Sequence, residues 1–169
     1  MRAAAKSLLL VVVFCASANR TLAQSADTAV IDKYISGQES YKNGYQSEGY
    51  TTVLSGDLNH DGVADAAVLY TLEGQNGTNN YVQYLAVLVR VKGRLVPVAR
   101  TVAGGKNYRA IKIKAIKDNM IWCDTTGYAP NDPSCCPTIK GSTRYALEGK
   151  KLKELGTGGI LSPASPKRE

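Results

Sequence analysis

Asp57, Asn59 and Asp61 occupy alternate positions of the stretch GDLNHDGVADAAVLY, residues 56–70, and Asp65 follows beyond Gly62. Oxygen-bearing side chains at this spacing are suited to a hard cation such as calcium, which takes about six to eight oxygen ligands. A tight loop turns Asp57, Asn59 and Asp61 toward a common centre. Gly62 permits the sharp turn that brings the backbone carbonyl of Val63 to the same point, and Asp65 closes the far side. Carboxylates held this close repel one another unless something neutralises them. The competing expectation is a metal-free turn in which the aspartates accept hydrogen bonds from their own backbone. His60 stands at a non-ligand position and is expected to face solvent. In either case the loop is expected to be structural, rigidifying the entry to a strand.

Other chemistry-bearing residues are sparse. Cys123, Cys135 and Cys136 lack the paired spacing of a zinc site, and the chain has one histidine. Structural use of these cysteines is expected, with 123–135, 123–136 and a vicinal 135–136 bridge all open. Most His-based nucleophilic triads are excluded unless His60 serves, and no nucleophile elbow or phosphate loop is found. These absences argue against an enzyme. From Arg90 to Lys117 nine basic residues run without an acidic one: Arg90, Lys92, Arg94, Arg100, Lys106, Arg109, Lys112, Lys114 and Lys117. They could bind an anionic envelope polymer, although lysines alternating along a strand also protect edges and aid solubility. No specific nucleic-acid motif accompanies them. Tyr34, Tyr41, Tyr45 and Tyr50 could stack on sugar or peptide, or could finish a small core.

The loop Asp57-x-Asn59-x-Asp61-Gly62-x-x-Asp65, followed by a hydrophobic strand, resembles the calcium loop of FG-GAP propeller repeats at each of those positions. It is also similar to EF-hand and dockerin loops, but their acidic twelfth position is Val68 here. A propeller needs several such repeats and this chain has one, so the resemblance implies a local calcium loop. A wider resemblance joins this loop and its Asp-Ala-Ala-Val continuation to Asn131-Asp132-Pro133-Ser134-Cys135-Cys136-Pro137. That combination is similar to small exported bacterial proteins of uncharacterised function, which implies secretion and a single domain.

These residues must be positioned by strands. Val30, Ile31, Tyr34 and Ile35 form one face of a helix that Asp27 or Thr28 can cap and Gly37 can end. Beyond it, YTTVLSGD, DAAVLYTL and YVQYLAVLVRV read as strands, and Gly93 reverses the chain in LVRVKGRLVPVA. RAIKIKAIK is expected to place Ile111, Ile113 and Ala115 on one face and Lys112 and Lys114 on a wet one. Asp118-Asn119 turns it into MIWCDTT. The proline-rich GYAPNDPSCCP leads to a last hairpin around Glu148-Gly149-Lys150. The fold class is therefore α+β and mostly β: an N-terminal helix followed by a meandering, twisted antiparallel sheet, with the helix packed on one face or the sheet curled partly into a barrel.

Residues 1–23 read as a secretory signal, with Arg2 and Lys6 before a short apolar stretch and small residues near Ala23. Cys15 as a lipidated residue is the alternative, but the bulky Phe14 precedes it. Residues 24–157 are expected to form one β-rich domain, and 158–169 a disordered tail. Without Arg2, Lys6 and Arg20 the formal charge falls from +7 to +4. No later segment is long and apolar enough to cross a membrane. The sequence thus points to a periplasmic or secreted binding protein, envelope-associated, with calcium as a structural ion and a polymer or protein as partner. An inhibitor or immunity-type protein acting through the cysteine loop is the alternative, and a metal-dependent enzyme the third reading. Oligomeric state is left open.

Overall fold

The computed structural model describes residues 26–39, 44–74 and 79–156; the expected signal and tail lie outside these. A helix, α1, occupies residues 26–39. Eight strands follow: β1 (Tyr45–Gly56), β2 (Asp65–Glu73), β3 (Tyr81–Val91), β4 (Arg94–Gly105), β5 (Arg109–Lys117), β6 (Met120–Gly127), β7 (Ile139–Glu148) and β8 (Lys151–Gly156). They hydrogen-bond in chain order, each antiparallel to the next. β1 does not pair with β8, so the described sheet is not closed into a barrel. Among the described residues no helix is long and apolar enough to cross a membrane.

The order conceals a break. β4 and β5 are paired only at Gly105–Arg109, whereas the other neighbouring strands pair along most of their length. The chain bends there and lays β5–β8 across one face of β1–β4. One core fills that interface, with Leu85 and Val87 of β3 against Ile111 and Ile113 of β5, Ile121 of β6 and Tyr145 of β7. A second core lies on the other face, where Ile31 and Ile35 of α1 cover Val68, Tyr70, Ala86 and Leu88. β2 and β3 are therefore buried on both sides. That is why AAVLY and YLAVLV are continuous apolar runs rather than alternating ones.

Several expectations are met locally. The β3–β4 turn has Lys92 at φ 50° and Gly93 at φ 80°, and the β5–β6 turn has Asp118 and Asn119 at φ 52° and 57°. Positive φ at both central residues matches the twist of the flanking strands. Others are corrected. Asp27, Thr28 and Gly37 are all helical, so none of them caps or ends α1. Asp27 instead binds Arg90, with Oδ2 at 2.6 Å from a guanidinium nitrogen. A bulge between Ile113 and Ala115 shifts the register of β5 by one residue. A one-residue slip exchanges the faces, so Ala115 is exposed and Ile116 packs on the core in its place.

Candidate functional site

The Asp57–Asp65 loop is the hairpin connection between β1 and β2, closed by the pair Gly56–Asp65. Its side chains turn inward on its own backbone. Asp57 accepts the His60 amide at 2.8 Å and the Gly62 amide at 3.0 Å. Asp61 accepts the Val63 amide at 2.8 Å and an N–H of the Asn59 side chain at 2.8 Å, while Asn59 accepts the Asp61 amide at 3.1 Å. Slight burial pulls the Asp57 carboxyl up, but these backbone amides outweigh it and hold the pKa below the usual value. His60, in the left-handed region at φ 66°, is exposed. Val63 is exposed as well.

Asp65 is set apart from the others. It has no exposed surface, and its two oxygens accept the Leu58 amide at 3.0 Å and the Arg90 amide at 2.8 Å. Leu58 fills the inter-sheet core. From the second half of the fold, the Asn119 side chain donates to the Asp57 carbonyl at 2.9 Å. The Arg90 guanidinium adds the Ala64 carbonyl at 2.9 Å and both oxygens of Asp27. The loop thus clasps β1, β2, the end of β3, the β5–β6 turn and α1. The oxygens of Asp57, Asn59, Asp61 and Asp65 all accept N–H groups of the loop or of Arg90. Among the described residues no three carboxylate, histidine or cysteine groups are gathered for a metal.

The basic run from Arg90 to Lys117 is dispersed by the fold. Arg90 is bound to Asp27, Lys114 pairs with Asp124 at 3.0 Å, and Lys106 donates to the Asn79 carbonyl. Arg100 donates to the Gln38 side chain and lies over the Tyr84 ring. Arg109 is buried. Its guanidinium meets both oxygens of Glu154, the Tyr145 hydroxyl at 2.7 Å and the Ala103 carbonyl at 2.8 Å. Burial pulls the Glu154 carboxyl up, but hydrogen bonds from Arg109 and Thr143 hold it below the ordinary range. Lys92, Arg94, Lys112 and Lys117 are exposed, but on three separate stretches: the β3–β4 turn, the middle of β5 and its end.

Cys135 and Cys136 form a vicinal disulfide, and Cys123 is a free, buried thiol. Of the three pairings open in the sequence, the vicinal one is formed because Cys123 points into the inter-sheet core. Burial pushes its pKa up to about 12, which suppresses the nucleophilic thiolate. The loop around the disulfide is framed by Asp132, whose carboxylate accepts the Ala129 amide at 2.7 Å and the Thr138 amide at 2.8 Å.

A cleft of about 620 Å³ opens between the two halves of the fold, along the edge of β5 that β4 leaves unpaired. Leu69, Ile111 and Ile113 give it an apolar lining, and Tyr50, Tyr81, Glu73 and Lys112 supply polar groups. Tyr50 is 63 % exposed. Burial, and Tyr128 close by, push the Tyr81 hydroxyl above its usual pKa. Gln83 lies in the cleft too, but its amide is used on β5, accepting from the Ile111 N–H at 3.0 Å and donating to its carbonyl at 3.3 Å. A second hollow, about 590 Å³, lies between α1 and β1, and there Asp27, Asp65 and Arg90 are already bonded to one another or to backbone.

The sequence reading missed the cleft. Glu73 and Tyr81 face each other across the β2–β3 hairpin, but Lys112 is too far away in the chain to suggest a common site with them. The comparisons add no relative: no family model, no curated protein and no solved structure matches the chain.

Proposed function

We propose that this chain is an exported, envelope-associated binding domain, and that the cleft between its two half-sheets is the ligand site. The observation that carries the reading is the cleft itself. Its volume is that of a small-molecule pocket, with an apolar lining and a few convergent polar groups. The chemistry suits an amphipathic sugar–peptide fragment. Tyrosine rings accept the apolar faces of sugars, and Lys112 and Glu73 offer opposite charges to a carboxylate and an amine. The dispersal of the basic run favours this cleft over a long electrostatic strip for polymers.

The Asp57–Asp65 loop serves this site indirectly, as the clasp that holds both halves of the fold. Calcium, implied by the loop's residue types, would draw on the lone pairs that Asp57 and Asp61 do not use on N–H groups. A calorimetric calcium titration decides that point: a saturable heat that Asp61→Ala removes would make the clasp a cation site. The binding reading is tested by titrating the protein with a soluble disaccharide–peptide from peptidoglycan and following backbone NMR shifts. Shifts around Tyr50, Tyr81 and Lys112, with at least a tenfold weaker Kd in Lys112→Glu, are expected. Shifts confined to other surfaces would overturn it.

The inhibitor reading draws on one observation, the exposed and well-framed 128–138 loop. Co-purification of an enzyme, lost when the loop is replaced by a short glycine linker, would favour it.

A further inference from the structure

The Cys135–Cys136 pair differs from a structural disulfide in two respects. It closes no chain loop, because the cysteines are adjacent. The entropic stabilisation that a disulfide supplies grows with the length of the loop it closes, so this one contributes almost none to folding. Both residues are exposed, so a thiolate can reach the sulfurs from solvent.

The loop does not depend on the bridge. Asp132 ties residues 129 and 138 together, and its own amide donates to the Ala129 carbonyl at 3.0 Å. The Tyr128 hydroxyl donates to the Ser134 carbonyl at 2.8 Å, and the Cys136 amide to the Pro133 carbonyl at 2.9 Å. These bonds flank the disulfide on both sides and involve neither sulfur. Exposed disulfides that contribute little to folding are the labile, exchange-competent ones.

We propose that Cys135–Cys136 is a site of reversible thiol–disulfide exchange with dithiols in the surrounding medium, operating without unfolding of the domain. A thiolate of the dithiol attacks one sulfur, the S–S bond breaks, and the released cysteine sulfur leaves as a thiolate and takes up a proton. The second thiol of the reagent then closes its own disulfide and releases the other cysteine. The dithiol is oxidised by two electrons and loses two protons; Cys135 and Cys136 become thiols. Reoxidation by a disulfide of higher potential reverses each step.

Cys123 is the internal control, since a buried thiol with a pKa near 12 is protected from alkylation while the core stays closed. The test is maleimide labelling at about pH 7, with and without prior treatment by millimolar dithiothreitol, each tag located by peptide mass mapping. The expected result is no tag on Cys135 or Cys136 before reduction and a tag on both after it. Cys123 is tagged only in guanidinium, and the melting temperature of the reduced protein moves by no more than about 3 °C. Tags on the pair before reduction would overturn the proposal by showing no disulfide to exchange. So would tags that appear only together with Cys123, which would mean that exchange requires unfolding. In Cys136→Ser, Cys135 becomes taggable without reductant; protection of Cys135 in that folded variant would equally overturn it.

Discussion

The side-chain amide of Gln83 on β3 holds the backbone of Ile111 on β5 from both sides, accepting its N–H at 3.0 Å and donating to its carbonyl at 3.3 Å. It supplies the pair of hydrogen bonds that a neighbouring strand would otherwise make, where β4 has already diverged from β5. A single side chain thereby ties the two halves of the fold together at the floor of the cleft.

Gln83→Leu leaves the Ile111 N–H without its acceptor on a residue that is almost fully buried. A buried donor left unpaired costs about 1–3 kcal/mol, so the midpoint of urea unfolding falls accordingly. Amide exchange at Ile111 accelerates more than that at Ile121, in the interior of the same half. Equal acceleration at both positions would show that Gln83 acts on global stability alone.

The aspartates of the clasp are unequal. Asp65→Ala removes the acceptor of two amides, Leu58 and Arg90, from a site with no exposed surface. Its expected cost is about 2–5 kcal/mol, from two unpaired donors. Asp57→Ala affects a solvent-facing turn and lowers the melting temperature by less. Chemical denaturation of the two variants side by side checks the order, and a larger loss in Asp57→Ala would contradict it.

Gly56, the last residue of β1, lies against Ile116 of β5. A Cβ at Gly56 would stand 2.6 Å from Ile116 Cγ2 and 2.9 Å from its Cβ. A β-branched side chain has few rotamers in which to yield, so Gly56→Ala costs about 1–3 kcal/mol by overpacking. Ile116→Ala in the same chain restores part of that loss. The coupling is read from a double-mutant cycle, in which strict additivity would show that the two residues do not compete for space.

Acid sensitivity follows from Glu154. Its folded pKa is depressed by Arg109 and Thr143 below the ordinary 4.5. A depressed carboxyl stabilises the fold above its unfolded pKa, and that contribution is lost as pH falls through the folded value. Unfolding free energy is therefore expected to decline as pH drops below about 4.5, and Glu154→Gln to flatten the decline. Asp57 and Asp132, also depressed, leave a residual slope. Urea melts across the acid range that show the same slope in both proteins would exclude Glu154 as the main contributor.

Much of the architecture was legible because it rests on local rules. Apolar periodicity placed the helix face that buries Ile31 and Ile35. Gly93 and Asp118-Asn119 marked turns, and DAAVLYTL and YVQYLAVLVRV read as the strands β2 and β3. The ends of α1 were not legible: Asp27 has the chemistry of a cap, but a partner more than sixty residues away, Arg90, claims it. The bulge in β5 was hidden as well, because alternation in RAIKIKAIK looks unbroken until the register against β6 is known.

By itself, then, the sequence determined the element order, the antiparallel meander and an oxygen-rich turn between β1 and β2. Neighbouring residues settle such features through backbone sterics and burial. Tertiary structure alone decided that Asp65 is buried against Leu58 and Arg90, that Cys123 lies in the core, which basic residues are paired, and that a cleft exists. These outcomes rest on contacts such as Asp65 with Arg90, Asp57 with Asn119 and Gln83 with Ile111. The last two depend on how β5–β8 fold across β1–β4, a placement that no short stretch of chain encodes, and the first on the pairing of β2 with β3. The side-chain oxygens of Asp57, Asn59 and Asp61 are bonded within the loop, and the packing of the two halves adds the Asn119 contact to the Asp57 carbonyl that ties the loop to the β5–β6 turn.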